Sequence, residues 1–246
     1  MKLFFLRLKK IFIIFQNFFL LKTFIKHRVM AGVEHNNIFN RDISTLVDVG
    51  ANRGQFSLAA ISKKPNMIVY AFEPLLTPLR TFQEIFKNFK NVKIYNYALG
   101  DFDSEVDMHL SSKDDSSSLL KITALQNEHF PGTQETGVTR IKVTTLDNLI
   151  SGKQIVSPAF LKLDVQGFEL QALKGCESLL EKFDYIYCEC SFMTLYEKQS
   201  LAPEIINFLY NKGFNMTGIF NFQLDNDGNC IQADFFFEKI SAKENL

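Results

Sequence analysis

Short aliphatic runs alternate along this chain with stretches whose apolar positions recur every three or four residues, the signatures of buried strands and one-faced helices. Residues 46–49, 67–72, 91–99, 157–165 and 184–190 read as strands, mostly aliphatic and short. Between them, 55–63, 75–89, 168–175 and 204–212 read as helices. In the second of these, Leu79, Phe82, Ile85, Phe86 and Phe89 share one face; Leu170 and Leu173 do so in the third, and Gly213 closes the fourth. Two further strands, 213–220 and 233–240, flank the turn Asp225-Asn226-Asp227-Gly228, a hairpin signal. Strands alternating with helices predict an α/β, Rossmann-like fold: a seven-stranded, mostly parallel sheet with an antiparallel C-terminal strand and helices on both faces. The pattern changes at 104–146, where alternating runs at 104–111 and 139–146 enclose a stretch rich in Ser, Asp and Gly. Such an insertion is placed to act as a lid over the carboxyl ends of the strands, where open α/β sheets bind ligands. After it, Thr145-Leu146-Asp147 is expected to open a short helix, with Thr145 or Asp147 as its cap.

The chemistry centres on 43–58, ISTLVDVGANRGQFSL, in which a strand ending near Asp48 turns through Gly50 and Gly54 into a helix. Small residues there allow backbone N–H groups to approach a ligand at a helix start. The spacing lacks the middle glycine of a dinucleotide fingerprint, because Asn52 stands there, which argues against a pyrophosphate. The next strand ends in Glu73-Pro74, where a carboxylate can accept hydrogen bonds from both hydroxyls of a ribose. Asp48, Gly50, Gly54 and Glu73 together suit an adenosine compound without phosphates, of which S-adenosylmethionine is the common cofactor; an acid near the first turn suits its amino group. The strand at 157–165 also ends in an acid, Asp164, at the carboxyl edge where open α/β sheets bind ligands. Glu189, His109 and His129 are further candidates for the proton acceptor, and the sequence does not choose among the four. Glu169 either touches the site or balances the helix dipole.

VDVGANRGQFS, VYAFEP, NYALGD, LKLDVQGFELQALKG and TTLDNLI together resemble an FkbM-type methyltransferase, a branch of the class I S-adenosylmethionine-dependent enzymes, over roughly 43–240. The resemblance implies O-methylation of a hydroxyl on a sugar, glycan or related small-molecule acceptor. It also implies a cofactor site built from Asp48, Gly50, Asn52, Gly54, Phe56, Glu73 and Pro74, with Ala98, Leu99 and Asp101 near the adenine and Asp164 near the methyl. Asp101 serves equally well as a turn residue. Ser116, Ser117 and Ser118 are similar to a small-residue turn of the family and are candidates for lining the transfer site. Two other functions fit part of the pattern: an NAD-dependent oxidoreductase, and a membrane-attached protein that binds a nucleotide without catalysis.

Charge alters the picture at one end. The chain is formally neutral, yet its first thirty residues carry seven Lys or Arg and no acid, which leaves the remainder at net −7. The basic charge is therefore no nucleic-acid-binding face of the domain. Residues 1–30 are expected to form a basic amphipathic helical segment, separate from a domain at 31–246, with Lys2, Lys9 and Gln16 in line and Lys10 and Asn17 beside them. Its charge-free stretch, 11–21, is too short to span a bilayer as a helix, and no small-residue cleavage site follows it. Such a segment suits peripheral contact with anionic membrane, or packing on the domain or a second copy in an oligomer. A cytoplasmic protein, peripheral at the inner face of the membrane, is the expected setting. Cys176, Cys188, Cys190 and Cys230 and the scattered histidines have no metal-ligand spacing, and free thiols in a reducing compartment are expected.

Overall fold

The computed structural model describes residues 13 and 15–240. Lys2, Lys9 and Lys10 of the expected basic stripe lie outside the described residues. The first complete helix, α1 (Phe18–His27), starts at Asn17, whose extended backbone and side-chain oxygen cap the N–H groups of Phe19 and Leu20. Asn17 is thus a helix boundary, with Arg28 in the left-handed conformation closing the other end. Two short 3-10 turns lead into β1 (Thr45–Val49), α2 (Gln55–Lys63), β2 (Ile68–Phe72), α3 (Leu76–Phe86) and β3 (Val92–Tyr95). Then follow β4 (Ala98–Leu99), β5 (Ser104–Ser111), α4 (Ala124–His129) and β6 (Glu135–Thr144). The last part holds β7 (Ala159–Leu163), α5 (Glu169–Gly175), β8 (Tyr185–Ser191), α6 (Ala202–Asn211), β9 (Phe214–Leu224) and β10 (Cys230–Lys239).

Seven strands form the main sheet in the order β3-β2-β1-β7-β8-β10-β9, parallel from β3 to β8, with β10 inserted antiparallel between β8 and β9. The expected fold class is therefore present. Alternation along each strand divides the core. Leu46, Val69, Phe160 and Phe236 face α1, α2 and α3, whereas Val47, Val49, Leu161, Leu163, Ile186 and Phe235 face α5 and α6. Leu20, Val29, Ile38 and Phe39 belong to the first of these clusters, so the segment before β1 packs against the domain.

Three local expectations are corrected. The stretch 91–99 is two strands, because the Asn96 side-chain amide donates to the Glu73 and Pro74 carbonyls and diverts the chain after Tyr95. β4 leaves the main sheet and joins β6 and β5 in a separate three-stranded sheet. The lid region thus contains an antiparallel β5/β6 hairpin as well as irregular chain. Finally, Thr145-Leu146-Asp147 opens only a turn: Leu149 and Ile150 bond back to the Leu146 carbonyl, and a capped 3-10 turn at Gly152–Gln154 follows.

Candidate functional site: a cleft at the carboxyl edge of β1, β2 and β7

The turn after β1 is rigid. Gly50 and Ala51 both donate their N–H groups to the Phe72 carbonyl, Asn52 donates to Glu73 Oε2 at 2.9 Å, Arg53 to Asn52 Oδ1, and Gly54 to the Ala51 carbonyl. Every N–H from 50 to 54 is thus used inside the protein, so the turn itself offers no free donor, and donors toward a ligand fall to the start of α2 at Gln55 and Phe56, which line the cleft. Gly50 has φ +75°, and a Cβ there would lie 1.9 Å from the Asp164 carbonyl oxygen. Only glycine lets the β1 turn and the end of β7 meet in this way to form the floor of the cleft.

The cleft above this floor has a volume of about 360 Å³. Glu73 forms one wall, 5% exposed, with Oε1 receiving the Leu75 N–H at 2.8 Å. Burial pushes its carboxyl up to about 7, against the pull of the two backbone N–H bonds. Each carboxylate oxygen accepts one backbone bond and keeps a lone pair for a ligand hydroxyl. Phe72, Leu75, Ala98 and Leu99 supply an apolar wall beside it. A carboxylate with spare acceptors beside an apolar slot fits the ribose and base of an adenosine compound.

At the opposite end, Asp164 lies just past β7 with its side chain 41% exposed. The Gln166 amide donates to Asp164 Oδ1 at 2.8 Å and to Glu189 Oε2 at 3.0 Å, while its carbonyl accepts from the Tyr196 hydroxyl at 2.6 Å. Gln166 holds this posture at φ +55°, a left-handed conformation that non-glycine residues seldom adopt. Glu169 is buried and accepts the Val165 and Gly167 N–H groups, so it shapes the turn that carries Asp164. Behind the floor, Lys162 lies 3.3 Å from Asp48 and 3.7 Å from Asp164, and bonds the Gly50 carbonyl at 2.9 Å. Burial would lower the Lys162 ammonium, but the two carboxylates outweigh it and the net direction is upward. A third wall joins His35 to the Tyr187 hydroxyl, which donates to Asp234 at 2.9 Å; Asn221 donates to the same carboxylate. Burial lowers the His35 imidazole and raises the Asp234 carboxyl, each opposed by the other's charge.

Gly50, Asn52, Phe56, Glu73, Pro74, Ala98, Leu99 and Asp164 line this cleft together. Other candidates lie elsewhere. Asp48 is fully buried, held by Lys162 and by the Ser57 hydroxyl at 2.7 Å. Gly54 packs under the Phe82 and Phe86 rings, and Asp101 is exposed on a bend. His109 pairs with Glu135 across the β5/β6 hairpin, and His129 ends α4. Glu189 sits half-buried beneath Gln166 and Gln232, its carboxyl raised well above the usual range by burial and by nearby Asp164, Asp234 and Glu169. Of the three serines, Ser117 reaches the cleft; Ser118 donates to the Gln166 carbonyl and Ser116 accepts from Tyr196. Lys162, Gln166, His35, Tyr187 and Asp234 are cleft residues that the sequence reading did not single out. For Lys162 a signal existed: a lone charge inside the aliphatic run AFLKL.

Fold and cleft together define a Rossmann-like methyltransferase. The chain belongs to the FkbM family: the methyltransferase FkbM domain model matches residues 48–216. It is an S-adenosylmethionine-dependent methyltransferase, which places it apart from the oxidoreductases. The 2-O-methyltransferase NoeI of Sinorhizobium fredii is 24% identical over 170 residues, spanning 67% of this chain and 70% of that protein. Methyltransferase 1 of Beauveria bassiana is 26% identical over 157 residues, 59% of this chain and 62% of that one. Among solved structures, Streptococcus pneumoniae Sp1610 in complex with S-adenosyl-L-methionine shares the fold at a TM-score of 0.50, with 10% identity over 86% of this chain and 75% of that one.

Proposed function

We propose that this chain methylates a hydroxyl oxygen of a sugar or glycan, with Asp164 as the proton acceptor. The observation that carries the proposal is the Asp164 carboxylate, which, of the four candidate bases, alone lines the cleft. S-adenosylmethionine, when bound, supplies a methyl group already activated by its sulfonium. Glu73 and the apolar wall at Phe72, Ala98 and Leu99 hold the adenosine end. The protein has then to orient a hydroxyl oxygen and accept its proton as the O–C bond forms. Gln166 at 2.8 Å and Lys162 at 3.7 Å fix the Asp164 carboxylate in place for that transfer. His35, Asp234 and Tyr187 make the facing wall polar, which suits an acceptor with several hydroxyls. That the relative from Sinorhizobium fredii is named a 2-O-methyltransferase supports transfer to oxygen.

The site of action in this reading is the cytoplasm, at the inner face of the membrane. Three of the four free cysteines are buried, which suits a reducing compartment. The test is transfer of isotope-labelled methyl from S-adenosylmethionine to a panel of saccharides and saccharide-bearing lipids. Label recovered as a base-stable methyl ether on a sugar is the expected result. Label on nitrogen, on carbon or in a base-labile ester would overturn the assignment to a sugar hydroxyl.

A further inference from the structure

We propose that the exposed face of α1 and of the helical residues just before it docks on an anionic lipid surface, which sets the mouth of the cleft at the membrane. Among the described residues, the three most exposed large apolar side chains are Phe18 (81%), Phe15 (70%) and Ile25 (62%), all within one short stretch. Lys22, Lys26 and Arg28 are exposed among them, and the sequence has no acid before Glu34. Lys26 has one distant partner, Glu84 at 3.9 Å. The other face of α1 is fastened down: Leu20 and Thr23 are buried, and the Phe19 ring packs on Phe89 at 5.1 Å and Phe86 at 6.4 Å. A helix anchored along one face therefore presents aromatic and cationic side chains on the other. Interfacial helices have this composition, because rings and aliphatic chains enter the headgroup boundary while Lys and Arg meet anionic headgroups.

Charge decides between lipid and a second copy of the chain. A two-fold contact through this face would bring Lys22, Lys26 and Arg28 against the same cations, with only Glu84 beside Lys26 to offset them. Anionic lipid complements the face, and Lys2, Arg7, Lys9 and Lys10 earlier in the sequence add to the same sign. Docking also has a direct route to the cleft. Arg28 ends α1 in the left-handed conformation, and Met30, Gly32, Glu34 and His35 then form part of the cleft wall, tied to the start of α2 by the Gly32 N–H to the Gln55 carbonyl at 2.8 Å. A lipid surface on α1 thus lies only a few residues from the acceptor wall. The acceptor this implies is a saccharide carried on a lipid; that half of the inference rests on the methyl-transfer reading above, and the docking itself does not.

Sedimentation of the full chain with vesicles of phosphatidylcholine, with and without phosphatidylglycerol, tests the docking. Binding should require phosphatidylglycerol, weaken with salt, and fall roughly fivefold for each cation removed in Lys22→Gln, Lys26→Gln and Arg28→Gln. The triple variant Phe15→Ser/Phe18→Ser/Ile25→Ser should stay in the supernatant while its calorimetric titration with S-adenosylmethionine is unchanged, which shows that it is folded. A wild-type chain left in the supernatant, or a triple variant that sediments like wild type, overturns the docking. A dimer that the triple variant makes monomeric, without lipid binding, gives the face to a second copy instead. Docking intact with methyl transfer only to water-soluble saccharides rejects the lipid-linked acceptor and leaves the docking standing.

Discussion

Asp48 and Asp164 look alike in sequence, each an acid that closes an aliphatic strand, in LVDVG and LKLDVQG, yet they occupy opposite environments. The register explains why. Asp48 still belongs to β1, where it pairs level with Lys162 of β7, and Lys162 pairs level with Tyr187 of β8, so these three side chains share one row beneath the cleft. Asp164 lies one residue beyond β7, with its N–H on the Val49 carbonyl and its side chain open to the cleft. One carboxylate is a buried counter-ion and the other is available to a substrate, although Lys162 touches both. A single charged residue between two strands therefore serves stability on one side and orientation on the other.

The largest effect expected from breaking this pair comes at the open end. Asp164→Asn should lower turnover by about 10²- to 10⁴-fold, the usual worth of a general base. Calorimetric affinity for S-adenosylmethionine and the denaturation midpoint should change little, since the amide keeps the shape of the side chain. Normal turnover in this variant would remove Asp164 from the proton-transfer role.

At the buried end the loss should appear in stability. Lys162→Met leaves Asp48 without its counter-ion and should cost about 3–5 kcal/mol in chemical denaturation. Adding Asp48→Leu should recover much of that, because the unpaired charge is then gone. If the double variant were as unstable as the single one, the row would owe its stability to something other than the pair.

Glu73 and Glu169 sharpen the contrast through pH. Burial raises both carboxyls from an ordinary 4.5 to about 7, so between these values the folded chain holds protons that the unfolded chain has released. Stability from these two groups is then highest below about pH 4.5 and falls as pH rises through about 7, by at most roughly 3 kcal/mol for each. Glu73→Gln should flatten about half of that slope in denaturation midpoints measured across the window. An unchanged slope would mean that Glu73 is ionised throughout. The smallest effect belongs to the lid contact. Tyr196→Phe removes the hydroxyl that bonds Gln166 and the Ser116 carbonyl, and should cost about 1 kcal/mol of stability. It should also raise the KM for the acceptor more than it changes affinity for S-adenosylmethionine.

Much of this architecture is legible from short-range pattern. Runs such as STLVDV and MIVYAF form strands because they are aliphatic on both faces and bounded by Gly or Pro, and Gly50 announces a close backbone approach. Glu73 and Asp164 are legible as cleft residues because each follows such a run at the carboxyl edge of the sheet. The break between β3 and β4 is not, since it depends on Asn96 reaching carbonyls more than twenty residues away. Glu189 and His109 are plausible bases by residue type, yet Gln166 and Gln232 cover the first and Glu135 holds the second.

By itself, then, the sequence determined the α/β order, the glycine turn and an acid at the tip of β2, which follow from periodicity and local turn chemistry, and its ordered motifs determined the family. Tertiary structure alone decided which acid is a counter-ion and which faces the cleft. Only there do the turn N–H groups prove fully used, and only there does Gln166 tie Asp164 to Glu189 and Tyr196. These outcomes depend on pairing between strands more than a hundred residues apart, as Asp48 pairs with Lys162, and a shift of one residue in that register would exchange the two faces of the sheet.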